Sequence, residues 1–216
     1  MRLLVSGATR DVTHWLDVAP DRMGVLLTPS AGNAIPSKGV PYAVDNDCFN
    51  GLKPGPWMRL LARLAESDHK PIWVACPDAV ADAGATWSLY DVWAPVLRSL
   101  GLPVALVLQD GLEKLKHRAF LPSAWNDLTA VFVGGSTEWK LSDHAANFIR
   151  EAKDRGKLVH IGRVNSMRRI QYFARLKPDS IDGSGFSKWA KRIGPGLRWI
   201  EVAMADEQLV MFGGNA

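Results

Sequence analysis

The 216-residue chain has only two cysteines, Cys48 and Cys76. Each stands alone in an apolar segment and neither belongs to a Cys-x-x-Cys pair, so a thiolate-built zinc site is excluded. The histidines (His14, His69, His117, His144 and His160) show no metal-ligand spacing, and no structural metal is expected. Long hydrophobic runs are missing too: those such as Pro103–Leu108 are far too short to cross a bilayer. The opening Met-Arg-Leu-Leu-Val-Ser-Gly turns polar within a few residues, so no signal peptide is expected. Charge of one sign is not in excess, with 26 Lys and Arg against 22 Asp and Glu, a net +4. Hydrophobic residues at 47% and charged residues at 22% exclude disorder, collagen and coiled coil. A chain this long buries roughly 70% of its unfolded surface. The expectation is one reduced, cytoplasmic domain over residues 1–216, with no membrane contact.

A mildly basic balance permits nucleic acid as a partner without requiring it. The distribution is more informative, because cations gather between Lys153 and Arg198, with Trp189 and Trp199 among the last of them. Phosphate binding and an ordinary solvated face explain this patch equally well.

Short aliphatic runs alternate with helical patterns. The expected strands are Leu3–Ser6, Val25–Thr28, Tyr42–Val44, Ile72–Ala75, Val104–Leu108, Ala130–Val133, Leu158–Ile161 and Ser180–Ile181. Trp57–Ser67, Thr86–Leu100 and Asp143–Arg155 carry the 3.6-residue period of helices. Gly101 and Gly156 sit where helix C-caps belong, and Ser142 where an N-cap belongs. The stretch Ala8–Met23 has room for a short helix only, Pro29–Val40 reads as a loop, and Arg198–Phe212 fits either a helix or extra strands. Such alternation predicts an α/β fold with a parallel sheet, and eight strands point to a compact (β/α)₈ barrel of the TIM type in a single domain. A doubly wound sheet is the alternative.

In such a barrel, function gathers at the C-terminal strand ends. There the chain places Asp45, Asp78, Gln109, the Gly134-Gly135 pair and Asp182. Several carboxylates in one pocket can divide their labour, one ionised and nucleophilic, another carrying a proton. Gln109 and Asp78 suit the edge of a planar heterocycle, and the two glycines would allow close approach to backbone N–H donors. Each aspartate could instead merely cap the helix that follows it. His160 reads as a base or as a hydrogen-bonded core residue, Gly183-Ser184-Gly185 as a plain turn, and Trp139 and Trp189 as candidates for stacking on a base. Most other tryptophans, such as Trp57 and Trp93, read as core.

From about Val40 to Gly185 these strand ends resemble, in chain order, the tRNA-guanine transglycosylase superfamily, especially its short DpdA-like, DNA-modifying branch. Asp45-Asn46-Asp47-Cys48-Phe49 resembles the family's Asp-Ser-Gly-Gly-Phe/Tyr segment, with Asp47-Cys48 in place of two glycines. Val107-Leu108-Gln109 resembles its Val-Gln-Gly strand end, Gly134-Gly135 its Gly-Gly loop, and Ile161-Gly162 its Met-Gly segment. Asp179-Ser180-Ile181-Asp182 resembles the Asp-x-x-Asp segment that ends in the nucleophile. The resemblance implies base exchange, replacing guanine in DNA, or alternatively in tRNA, with a preQ0-type 7-deazaguanine. It implies Asp182 as nucleophile on C1′ and Asp45 as the group that holds the base and moves its proton. Asp78, Gln109, Gly134, Gly135, Ile161 and Gly162 are then base-binding, and Arg163, Arg168, Arg169 and Lys188 phosphate-binding. No cofactor is implied. Nothing after Asp182 could form the family's zinc subdomain, which fits a DNA substrate better or a partner protein that supplies that function; a homo-oligomer is equally open. The rival readings are a catalytically silent nucleic-acid-binding barrel that docks on a modification enzyme, and an unrelated small-molecule barrel enzyme.

Overall fold

The computed structural model describes residues 1–7, 9–115 and 125–212, except for the side chains of Asn50 and residues 208–212. His117 lies outside the described residues. Eight strands alternate with helices: β1 Arg2–Val5, β2 Met23–Leu27, β3 Tyr42–Val44, β4 Val74–Ala75, β5 Val104–Leu108, β6 Ala130–Val133, β7 Leu158–Ile161 and β8 Ser180–Asp182. Every strand lies parallel to its neighbour, and β1 closes on β8 through Leu3 opposite Ile181. Closure excludes the doubly wound alternative. The strands are apolar throughout because each is covered on both faces.

Alternation along the strands builds two layers. Leu3, Val5, Val25, Val44, Val131 and Ile161 face outward and pack under the helices. Leu4, Leu26, Ala43, Ala75, Ala105 and Ala130 face inward. Four of these inner residues are alanine, which leaves space for large rings in the barrel centre. Trp73, Phe132 and His160 fill it, with ring centres 4.8 Å apart for Trp73–His160 and 4.6 Å for Phe132–His160.

The helices are α1 Arg10–Val18, α2 Pro54–Glu66, α3 Ala83–Ser99, α4 Thr137–Lys140, α5 Asp143–Asp154, α6 Met167–Ala174, α7 Ser184–Lys188 and α8 Ile193–Phe212. Helix α2 buries the expected Trp57, Leu60, Leu61 and Leu64 stripe but begins at Pro54, since proline tolerates the first helical position. The Asp82 side chain accepts from Ala85 N–H and so starts α3 ahead of its apolar stripe. Ser142 caps α5 as expected. Gly101 and Gly156 follow the ends of α3 and α5 with φ of 66° and 69°, the left-handed conformation that glycine adopts without strain. The C-terminal segment resolves as a helix: α8 packs on α6 and α1, and a Cβ on Gly194 would lie 2.6 Å from the Trp15 ring. Residues 29–40 form the expected loop. Among the described residues no helix is long and apolar enough to cross a membrane.

Candidate active site

Barrel closure brings Asp45, Asp78, Gln109, Gly134, Arg163 and Asp182 to the wall of one cleft of about 90 Å³ at the C-terminal strand ends. Asp182 ends β8, and its side chain is only 16% exposed. One of its oxygens, Oδ1, accepts the Arg163 backbone N–H at 2.9 Å and lies 3.2 Å from His160 Nε2. Its other oxygen has no hydrogen-bond partner among the described residues. His160 is fully buried, and its Nδ1 lies 2.9 Å from Ser180 Oγ. With Asp182 ionised, the consistent arrangement has Nε2–H donating to the carboxylate while the Ser180 hydroxyl donates to Nδ1. His160 is thus a hydrogen-bonded core histidine that also orients an acid of the site.

Asp45 follows β3 directly, its backbone N–H continuing the ladder to Leu27 O at 2.9 Å. Its carboxyl is pushed up to about 7, by burial first and then by the charges of Asp182, Asp78 and Asp47, against a hydrogen bond from Asp47 N–H. Burial and like charge both disfavour the anion, so a substantial share of Asp45 carries a proton at neutral pH, available for transfer.

Asp78 and Gln109 meet as one unit. Gln109 Nε2 donates to Asp78 Oδ2, while Gln109 Oε1 accepts Ala81 N–H at 3.0 Å. Asn46 Nδ2 donates to Asp78 Oδ1 at 2.7 Å and to Cys76 O at 2.6 Å, and Asn46 Oδ1 accepts Cys48 N–H at 2.8 Å. Burial raises the Asp78 carboxyl, against the hydrogen bonds from Asn46 and Gln109 and the charge of Arg163. Asp47 takes φ 58°, a conformation aspartate tolerates better than most residues. Burial drives the neighbouring Cys48 thiol up to about 12, leaving it protonated and inert. Both Asp47 and Cys48 line the cleft.

Other sequence-based expectations fall differently. The Gly134 N–H bonds to Leu108 O at 2.9 Å, continuing the β5–β6 ladder, so it is not a free donor for a ligand. Gly135 O accepts Arg163 Nη2 at 2.8 Å. Ile161 points outward into the layer under the helices and does not line the cleft. Gly162 lets Phe132 approach, since a Cβ there would meet the ring at 2.6 Å. Trp139 is 7% exposed and donates its indole N–H to Glu113, which removes it as a stacking candidate. Trp189 remains 58% exposed. Gly183-Ser184-Gly185 opens α7, and Asn165 Oδ1 takes the Gly185 N–H.

The basic segment divides. Lys153 pairs with Asp179 at 2.9 Å, Arg155 with Glu151 at 3.1 Å and Arg175 with Glu207 at 3.6 Å. Those cations are matched locally. Arg163, at φ 60°, turns its guanidinium across the mouth over the Phe49 ring, 5.3 Å from its centroid, so it belongs to the cleft wall. Arg169 Nη1 reaches Arg163 O at 3.5 Å. Arg168 and Lys188 are exposed.

Sequence reasoning missed Asn46, Ser180 and Lys140 as parts of the site. Lys140 is 4% exposed, and its Nζ donates to Gly162 O at 2.6 Å. Burial, then the charges of Arg163 and Arg169, bring its ammonium down to about 8 against the pull of Asp182 and Asp110. Nothing in Thr137–Lys140 distinguishes it from a surface lysine; only the close approach of α4 to β7 buries it. Among the described residues no cluster of histidine, cysteine and carboxylate could hold a metal ion.

No protein-family model matches the chain, and no curated protein does. Solved structures do match in shape. The 3-hexulose-6-phosphate synthase from Salmonella typhimurium superposes with a TM-score of 0.55 at 16% identity, covering 96% of this chain and 100% of its own. GGGPS from Thermoplasma volcanium superposes at 0.52 and 9% identity, covering 94% and 92%. At these identities the likeness is one of fold, and it agrees with the strand pairing: the chain is a (β/α)₈ barrel of the TIM type.

Proposed function

We propose that this barrel is a pentosyltransferase that exchanges guanine in a polynucleotide, DNA in the first instance, for a 7-deazaguanine base. The observation that carries the reading is the unequal setting of two carboxylates in one cleft. Asp45 is driven up to about 7 and can carry a proton near neutrality, while Asp182 is held through one oxygen and keeps the other open. Asp182 attacks C1′ and the C1′–N9 bond breaks, its electron pair leaving with guanine, which takes a proton from Asp45. The incoming base then loses its N9 proton to Asp45, and N9 displaces the Asp182 carboxylate from C1′. Atoms and protons balance over the two halves, and no cofactor is needed. The Asp78–Gln109 pair faces the same cleft and offers a polar edge to the heterocycle. The target nucleotide must leave its stack to enter. An enzymatic role accords with the 3-hexulose-6-phosphate synthase that shares the fold.

Asp182→Asn keeps size and removes the anionic oxygen. It should abolish both exchange of labelled guanine and a covalent adduct on denaturing gels with guanine-containing DNA. Full exchange by this variant would overturn the mechanism. Adducts with tRNA but never DNA would move the activity to tRNA. Polynucleotide binding without adduct or exchange would favour the silent binding barrel, and absence of both would favour a small-molecule enzyme. Mass spectrometry of nucleosides from DNA and tRNA of expressing cells identifies the base.

A further inference from the structure

A second, larger concavity lies where the chain leaves the C-terminal end of β2. It encloses about 350 Å³ between the loop after β2 and the outer face of α2, and Thr28, Ser30, Gly32, Arg59 and Arg63 supply its polar lining. No acidic residue is among those that line it. Among the described residues Arg59 has no ion pair or hydrogen bond, and no carboxylate pairs with Arg63. The concavity is held in shape. Arg63 Nη2 donates to Asn33 O at 2.9 Å, tying the loop to the helix. Ala31 N–H turns back on Thr28 O, and His69 Nδ1 meets Pro36 O at 3.0 Å farther along. Farther along the same loop, Asn33 Nδ2 is buried with no partner, a donor lacking an acceptor.

Its place in the fold gives this donor set a meaning. Thr28 follows Leu27, whose carbonyl accepts the backbone N–H of Asp45, so the loop that lines this concavity leaves the barrel at the strand end next to Asp45. The cleft itself carries Asp45, Asp47, Asp78 and Asp182 against one cation, Arg163. A nucleotide whose base enters such a cleft is helped by further cations outside it that receive its phosphate. Arginine is suited to that task because its planar fork meets two phosphate oxygens at once.

We propose that Arg59 and Arg63, with the Thr28 and Ser30 hydroxyls, form a binding site for a phosphate group, and that on the reading above it receives a backbone phosphate next to the target nucleotide. The same chemistry would accept the phosphate of a small phosphorylated molecule.

The test uses the full chain and two probes. Inorganic phosphate is titrated while the arginine Nε–H signals are followed by NMR, with chloride at matched ionic strength as control. A saturable shift at Arg59 and Arg63 is expected, lost in Arg59→Gln. That substitution leaves the Arg63–Asn33 tie in place, and an unchanged melting curve checks that the fold is kept. The absence of a saturable shift in the unmodified protein overturns the site. The second probe is a single-stranded oligodeoxynucleotide bound across a salt series. Loss of one phosphate contact lowers the salt slope by about 0.7 on a single strand, so Arg59→Gln should do that and the double variant with Arg63→Gln should remove about twice as much. A phosphate response with unchanged slopes overturns the polynucleotide as source and assigns the site to a small phosphorylated ligand. The phosphate response should persist in Asp182→Asn. If the unmodified protein shows the phosphate response yet no base exchange on any substrate, the proposed reaction falls and the phosphate site stands.

Discussion

Asp45 and His160 illustrate how much a single side chain owes to its surroundings. Asp45 is raised to about 7 by burial and then by Asp182, so the proton it must deliver is lost as pH rises through that value. Exchange should therefore decline on the alkaline side with an apparent pKa near 7, and Asp45→Asn should lose this limb together with most turnover. The same shift acts on stability. The folded state binds the proton more tightly than an unfolded chain whose carboxyl titrates near 3.8, so stability falls as pH rises between the two values and the full penalty is present above about 7. Asp45→Asn should raise the melting temperature at pH 8, with a gain that shrinks towards pH 5 and vanishes below about 4; a gain independent of pH would refute the burial argument. His160 acts through Asp182. Replacing it by Phe keeps the ring between Trp73 and Phe132 but removes the Nε2 contact. Hydrogen bonds to charged groups contribute roughly 1.5–3 kcal/mol, so adduct formation should slow about ten- to hundredfold, with polynucleotide binding unchanged in a filter assay.

At the scale of elements, the helices are held by their ends and by close contacts. Asp82 starts α3 by accepting Ala85 N–H at 2.9 Å; Asp82→Ala should cost about 1 kcal/mol, read as a lower denaturant midpoint at unchanged slope. Helix α8 closes the ring of helices on α1, where Gly194 faces the Trp15 ring. Gly194→Val would force that ring aside, and overpacking of this kind costs roughly 1–3 kcal/mol. The melting temperature should fall while Asp182 chemistry, which neither residue touches, persists at low temperature. Short strands do not weaken the barrel, because β4 with only Val74 and Ala75 is paired on both sides.

For the whole molecule, the arrangement of charge matters more than the total of +4. An acidic cleft sits among cations, several of which already pair with neighbouring carboxylates. Arg168 and Arg169 have no ion pair among the described residues. If they grip phosphates, replacing both by Ala should weaken oligonucleotide binding and reduce the salt slope by about 1.4 on a single strand, with the fold intact by circular dichroism. An unchanged slope would leave only a solvated face.

The alternation of short apolar runs with helical stripes was enough to specify an α/β fold with a parallel sheet, because such periods are local properties, and the eight runs pointed to a barrel without excluding a doubly wound sheet. Caps at Ser142, Gly101 and Gly156 were legible for the same reason, and so were the acids at the strand ends, since parallel strands deliver all their C-terminal ends to one face. The closure of β1 on β8 was not, because pairing between chain ends is a long-range choice that no local period encodes. Nor could the sequence show that Asn46 locks Asp78, that His160 and Ser180 orient Asp182, or that α4 buries Lys140. Register decided those contacts: opposing His160 to Ser180 across β7 and β8 sets the imidazole beside Asp182 and leaves its second oxygen to the cleft. The Gly134 N–H followed the same logic in reverse, looking free in the sequence and being consumed by the ladder that closes the barrel.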